Sequence, residues 1–198
     1  MPVLSRGSTF IFGQSTREIV AFLGLQEKSG PELSPAELHA RLDRFMTAAI
    51  GLLPLMPAEK LHIHVLGRPR SYRALAFHLF RVVEAFLDAE QGSTLVQAAF
   101  REEPAADADM ASVAAYGAAM RKRFRDWWAH GDTAATRMLS TYYGAQSLHE
   151  LLERTTWHSG QHVRQWMMLL EREGVSHDWP LREADFERLP MPRNVWDG

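Results

Sequence analysis

The sequence predicts a mostly α protein: a four-helix bundle, preceded by a short N-terminal β-β-α segment and followed by an irregular C-terminal tail. Three observations predict it. Apolar residues recur at helical period in four stretches between about residues 34 and 174, each closed by glycine or proline. Residues 1–25 carry short β-like runs instead. Beyond Gly174, prolines alternate with aromatics, which suits a tail packed onto a bundle. The expected division is a strand–strand–helix appendage over residues 1–30 and the bundle with its tail over 31–198.

In the appendage, Val3-Leu4 and Thr9 to Phe12 read as strands with Arg6-Gly7-Ser8 as their turn. Gln14 to Leu25 reads as a helix, and Lys28-Ser29-Gly30-Pro31 as the linker. The first bundle helix opens at Ser34, where serine caps, Pro35 suits the first helical position and Glu37 completes a capping box. Leu38, Leu42, Phe45, Met46, Ala49 and Leu53 form its stripe, and Pro54 and Pro57 end it. The second starts near Ser71, after Gly67 and Pro69, with Leu75, His78, Leu79, Val82 and Phe86 on one side, and stops at Gly92. Glu84 falls opposite that stripe and reads as solvated. The third runs from about Asp109 to His130, and its Arg121-Lys122-Arg123 run reads as a solvated face. Met138 to Tyr143 is a short extended candidate before the fourth helix. That helix opens on a second capping box, Ser147 with Glu150, and ends at Gly174. In the tail, Trp179, Phe186 and Trp196 lie among Pro180, Pro190 and Pro192.

Composition narrows the functions. The chain has 198 residues, 46% apolar and 23% charged, with formal net charge −2, an ordinary globular balance without a basic footprint for nucleic acid. It has no cysteine, so disulfides, thiolate metal sites and cysteine nucleophiles are excluded, and a metal must be held by His, Asp or Glu. No run of about 18 apolar residues is present, so no membrane partner is expected. Met1 to Arg6 lacks the pattern of a secretory signal, and a cytoplasmic location is the default expectation.

Three histidines stand on apolar stripes: His78 on the second bundle helix, His158 and His162 on the fourth. At about 100° per residue, the i, i+4 pair is about 40° apart, so both rings can converge on one ion. Three imidazoles leave a position open for water or substrate, the arrangement of a catalytic site. The segment His158-Ser159-Gly160-Gln161-His162 has no glutamate after its first histidine, which disfavours a metalloprotease. The alternative is three core histidines in a plain bundle.

Thr155 to Gln165 resembles the last-helix signature of the DinB-like (DNA-damage-inducible) metalloenzyme superfamily, and Ala76 to Leu87 resembles its second-helix signature. The resemblance covers about residues 34–174. It implies a bundle with a long crossover, a homodimer, and one divalent ion, zinc or nickel, on His78, His158 and His162. Characterised members include transferases and isomerases working with a low-molecular-weight thiol. The implied function is therefore a metal-dependent enzyme acting on a small-molecule substrate, with a glutathione-type thiol or water activated on the metal. The alternative is a non-catalytic metal- or ligand-binding bundle. Residues 1–25 resemble the last strand–strand–helix of a glutaredoxin-like domain, with Pro2 and Gly13 at its characteristic positions but no redox cysteine; the alternative is an ordinary N-terminal hairpin and helix packed on the bundle.

Other candidates carry less. His62 and His64 read as surface, and His39, His130, His149 and His177 as polar positions or helix ends. Gln161 and Gln165 lie beside the histidines as supports or polar flank. Tyr142, Tyr143, Trp157 and Trp166 line a pocket or belong to the core.

Overall fold

The computed structural model describes residues 3–13, 16–26, 30–65, 69–176, 178 and 180–196. Pro2, Gln14, Lys28, Ser29, Gly67, His177 and Trp179, which entered the expectations above, lie outside them. Helix dominates, with two small antiparallel hairpins.

The N-terminal unit is a hairpin of β1 (Val3–Arg6) and β2 (Thr9–Phe12), followed by α1 (Thr16–Leu23). Gly7 supplies the positive φ of its turn. Four long helices follow: α2 (Pro35–Leu52), α3 (Tyr72–Glu90), α4 (Met110–His130) and α5 (Leu148–Arg172). Each starts where a short polar side chain satisfies a backbone N–H that has no helical partner. The Ser34 and Ser147 hydroxyls accept from the amides of Glu37 and Glu150, whose carboxylates accept from the serine amides in return. Ser71 and Asp109 cap α3 and α4 by accepting from Ala74 and Ser112. Such a cap contributes about 1 kcal/mol.

α2 and α3 each pack against both α4 and α5. The ring order is therefore α2–α5–α3–α4, and the successive helices α2 and α3 stand diagonally. The expected stripes fill the interior, with Leu42, Phe45, Leu79, Phe86, Phe124, Leu152 and Trp166 all buried. Gly160 explains how α5 comes so near α2: a Cβ there would sit 2.8 Å from a ring carbon of Phe45. Gly117 of α4 does the same against the ring of Phe80.

The chain before α5 forms a second hairpin, β3 (Met138–Thr141) with β4 (Gly144–Ser147). β3 matches the expected extended piece; β4 was not foreseen. Leu95 docks beside β3, donating to the Ser140 carbonyl and accepting from the Tyr142 amide. This anchors the segment that brings Phe100 over the helices. The tail is packed, as expected: Phe186 stacks on Phe45 with ring centroids 5.1 Å apart.

Two solvated-face readings are corrected. Arg121 pairs with Asp43 at 2.8 Å and Arg123 with Asp88 at 2.8 Å, so they tie α4 to α2 and α3; only Lys122 is well exposed. Glu84 is half-buried, accepting from the Tyr116 hydroxyl at 2.5 Å and pairing with Arg81 at 3.4 Å. The periodicity of one helix places these residues away from its own stripe and says nothing of the neighbour that covers them.

Candidate metal centre

The histidine stripe of α3 faces that of α5. His78 is 3% exposed, while His158 and His162 are half-buried. One ring nitrogen from each lies within 4.8 Å of the other two, a group that can hold a metal ion. His78 Nε2 and His158 Nε2 are 3.3 Å apart. Two nitrogens each about 2.05 Å from one tetrahedral ion would be separated by about 3.3 Å, so this pair fits without adjustment. The ring centroids of His158 and His162 are 4.6 Å apart, as expected for one helical turn.

The protonation states fit a cation. Burial holds His78 well below the ordinary imidazole range, with His162, Arg70 and His158 adding to the effect. Burial also pushes His158 down, helped by His162, Arg154 and Arg70. Neutral rings are the ligating form. Gln165 fixes the tautomer of His162. Its Nε2 donates to the Val195 carbonyl at 3.1 Å, which turns its Oε1 toward the ring. His162 Nδ1–H then donates to Oε1 at 2.7 Å and leaves Nε2 with the lone pair. Gln161, the other sequence candidate, is turned toward the tail. It donates to the Asn194 and Val195 carbonyls and holds the tail as a wall of the site.

The three rings border a cavity of about 630 Å³, large enough for a small molecule. Tyr142 and Trp157 line it, whereas Trp166 is core, donating to the Leu52 carbonyl at 3.3 Å. Tyr143 lies in a separate cavity beside β2 and α1, and burial pushes its hydroxyl up to about 12. Phe100 stacks over His158 with centroids 6.5 Å apart and meets His78 edge-on at 6.2 Å. Sequence reasoning passed over Phe100, Arg70 and Arg154, all of which line the cavity. Only Arg154 left a usable signal, because it precedes His158 by four residues on the same helix face.

The other described histidines stay apart from this group. His62 and His64 are exposed, as read from the sequence. His149 Nε2 is 2.8 Å from the Leu33 carbonyl, and His130 Nδ1 is 2.9 Å from that of Asp126. His39 differs from its expected polar setting: it is sandwiched between Phe124 and Trp128, with centroids 4.9 and 4.6 Å away. Compared with known protein families and with curated proteins, the chain matches none. Among the described residues no helix is long and apolar enough to cross a membrane.

Proposed function

We propose that this chain is a divalent-metal-dependent enzyme of the DinB-like four-helix type, with one ion on His78, His158 and His162. The observation that carries the reading is the convergence of three ring nitrogens within 4.8 Å beside a cavity. Core histidines need no such convergence, and a bound ion would help offset the desolvation of three neighbouring rings. The ring order with α2 and α3 diagonal is compatible with a long crossover. Zinc and nickel are the first candidates by that family resemblance, while three imidazoles by themselves suit iron and copper as well.

When bound, such an ion lowers the pKa of a coordinated thiol or water toward neutrality. The chain's own residues do the rest. His78 and His158 present neutral rings, Gln165 orients His162, and Phe100 shields the histidines from one side. The cavity admits a small substrate, in our reading a low-molecular-weight thiol with its electrophile.

Elemental analysis of untagged protein tests the site. About one ion per chain is expected, lost in His158→Ala and His162→Ala, with the helical circular dichroism retained. Folded protein that takes up no zinc, nickel or cobalt would overturn the reading. Turnover of glutathione with an electrophile then separates an enzyme from a bundle that only binds.

A further inference from the structure

We propose, on the metal reading above, that the substrate carries an apolar group about six carbons long, which lies in a blind chamber between α3 and α5 while the reacting atom sits at the three histidines. In a thiol transfer the apolar group belongs to the electrophile.

α3 and α5 run antiparallel. The Tyr72 hydroxyl, at the start of α3, donates to Glu173, just beyond the end of α5, at 2.9 Å. At the opposite end Arg137 donates to the Glu90 carbonyl at 2.7 Å, and its own carbonyl accepts from the Leu148 amide at 2.8 Å, which joins the end of α3 to the start of α5. Residues after His78 on α3 and before His158 on α5 therefore lie on the same side of the histidines. At about 100° per residue, His78, Val82 and Phe86 span about 80° of their helix, and Leu151, Thr155, His158 and His162 about 60° of theirs, so each set shares one face. All seven border one cavity.

The cavity changes character along its length. Gln97, Arg101 and Glu103 are exposed and mark its mouth. Val82, Phe86, Leu95 and Leu151 are no more than 4% exposed and present only hydrocarbon. Leu95 is fixed at this end by its backbone hydrogen bonds with Ser140 and Tyr142. The Thr155 hydroxyl donates to the Leu151 carbonyl at 2.8 Å, so its proton is spent within the helix. Arg154, at the edge of this face, lies against the Tyr143 ring, 4.7 Å from its centroid. A polar group among these side chains would exchange water for hydrocarbon, whereas an apolar group gains from burial. The rise from His158 to Leu151 is about 10 Å, the reach of an extended chain of roughly eight bonds, enough for six carbons and a reactive head.

A series of chain lengths tests this. Cobalt-loaded protein is titrated with the hydroxamates of acetic, butyric, hexanoic and octanoic acid, followed by cobalt absorbance. Affinity is expected to rise about fourfold per methylene up to the hexanoic member and then level off. Val82→Thr keeps the side-chain shape but puts a hydroxyl on the chamber wall. It is expected to weaken the hexanoic member about fivefold or more and leave the acetic one unchanged, with cobalt content unaltered. Leu151→Ala lengthens the chamber and moves the levelling to the octanoic member. Affinity that is flat from the acetic to the hexanoic member overturns the proposal and leaves the metal reading intact, as does a rise that neither variant alters. If cobalt fails to bind, the metal reading falls alone, and metal-free protein decides the role of the chamber. Uncharged N-phenyl-1-naphthylamine is then expected to bind with enhanced fluorescence, to be displaced by 1-hexanol and to bind more weakly to Val82→Thr. No binding, or binding that Val82→Thr leaves unchanged, overturns the chamber as well.

Discussion

The helical ring and the N-terminal unit spend their aromatic residues in opposite ways. Phe45 of α2 is completely buried, against Gly160 of α5 and Phe186 of the tail. Phe10 of β2 is 59% exposed, and the ring contact it makes is edge-on with its equally surface-lying neighbour Phe12, 5.8 Å away. Both residues are strongly apolar, yet only one lies where removal from water is complete. Stability should therefore be concentrated in the ring, which also carries the histidines, while the first 25 residues contribute little to either.

The largest effect follows from breaking the buried side of that comparison. Phe45→Ala should destabilise the protein by about 3–5 kcal/mol, because it loses the transfer energy of the ring and leaves a cavity between α2 and α5. For a domain of this size that is a fall in Tm of roughly 6–20 °C, read by thermal melting of metal-free protein. A loss below about 1 kcal/mol would mean that the gap closes by collapse and that the Gly160 contact is not what sets the helix spacing.

An intermediate case tests partial burial through pH. His39 is half-buried between Phe124 and Trp128, and desolvation lowers its pKa from the ordinary 6.5, with Asp43 opposing and Arg125 assisting. Below pH 6.5 the unfolded chain takes up a proton at this site that the folded chain resists. The unfolded state then binds more protons, so stability falls as pH drops from about 7 toward 5. His39→Phe keeps the stack and removes the titration. The fall in stability should become shallower, by less than one proton's worth, about 1.4 kcal/mol per pH unit. His78 and His158 have the same sign but are common to both proteins, so comparing denaturant midpoints at each pH isolates His39. Parallel profiles would refute the burial argument.

What was legible in the sequence was local. The serine caps and the glycine or proline stops mark the long helices because each acts within one turn. The i, i+4 histidine pair is likewise a property of one helix. His78 was readable only as a third imidazole on an inward stripe; its pairing with His158 depends on the packing of α3 on α5. The features missed all depend on a partner distant in the chain. β4, Gly144-Ala145-Gln146-Ser147, has no β-branched residue and is extended because it pairs with β3. Arg121 and Arg123 look solvated until α2 and α3 bring Asp43 and Asp88 to them. Phe100 lies between α3 and α4 without a helical stripe to mark it, and it reaches the histidines through the docking of Leu95 on β3 and the hold of Arg70 on its carbonyl.

The smallest expected effect sharpens the contrast from its other side. Phe10→Ala makes the same chemical change as Phe45→Ala, but at a ring already mostly in water. The change should stay within about 0.5 kcal/mol, a Tm shift of no more than about 2 °C, with metal content unaltered. A loss approaching that of Phe45→Ala would show that Phe10 is covered in solution by a surface outside the single chain. The apolar residues Val3, Phe12, Leu23 and Leu25, all at least 44% exposed, would be part of the same cover. Sedimentation of both variants over a range of protein concentrations distinguishes the outcomes, because a cover supplied by a second copy makes the Phe10 effect depend on concentration, whereas the Phe45 effect does not.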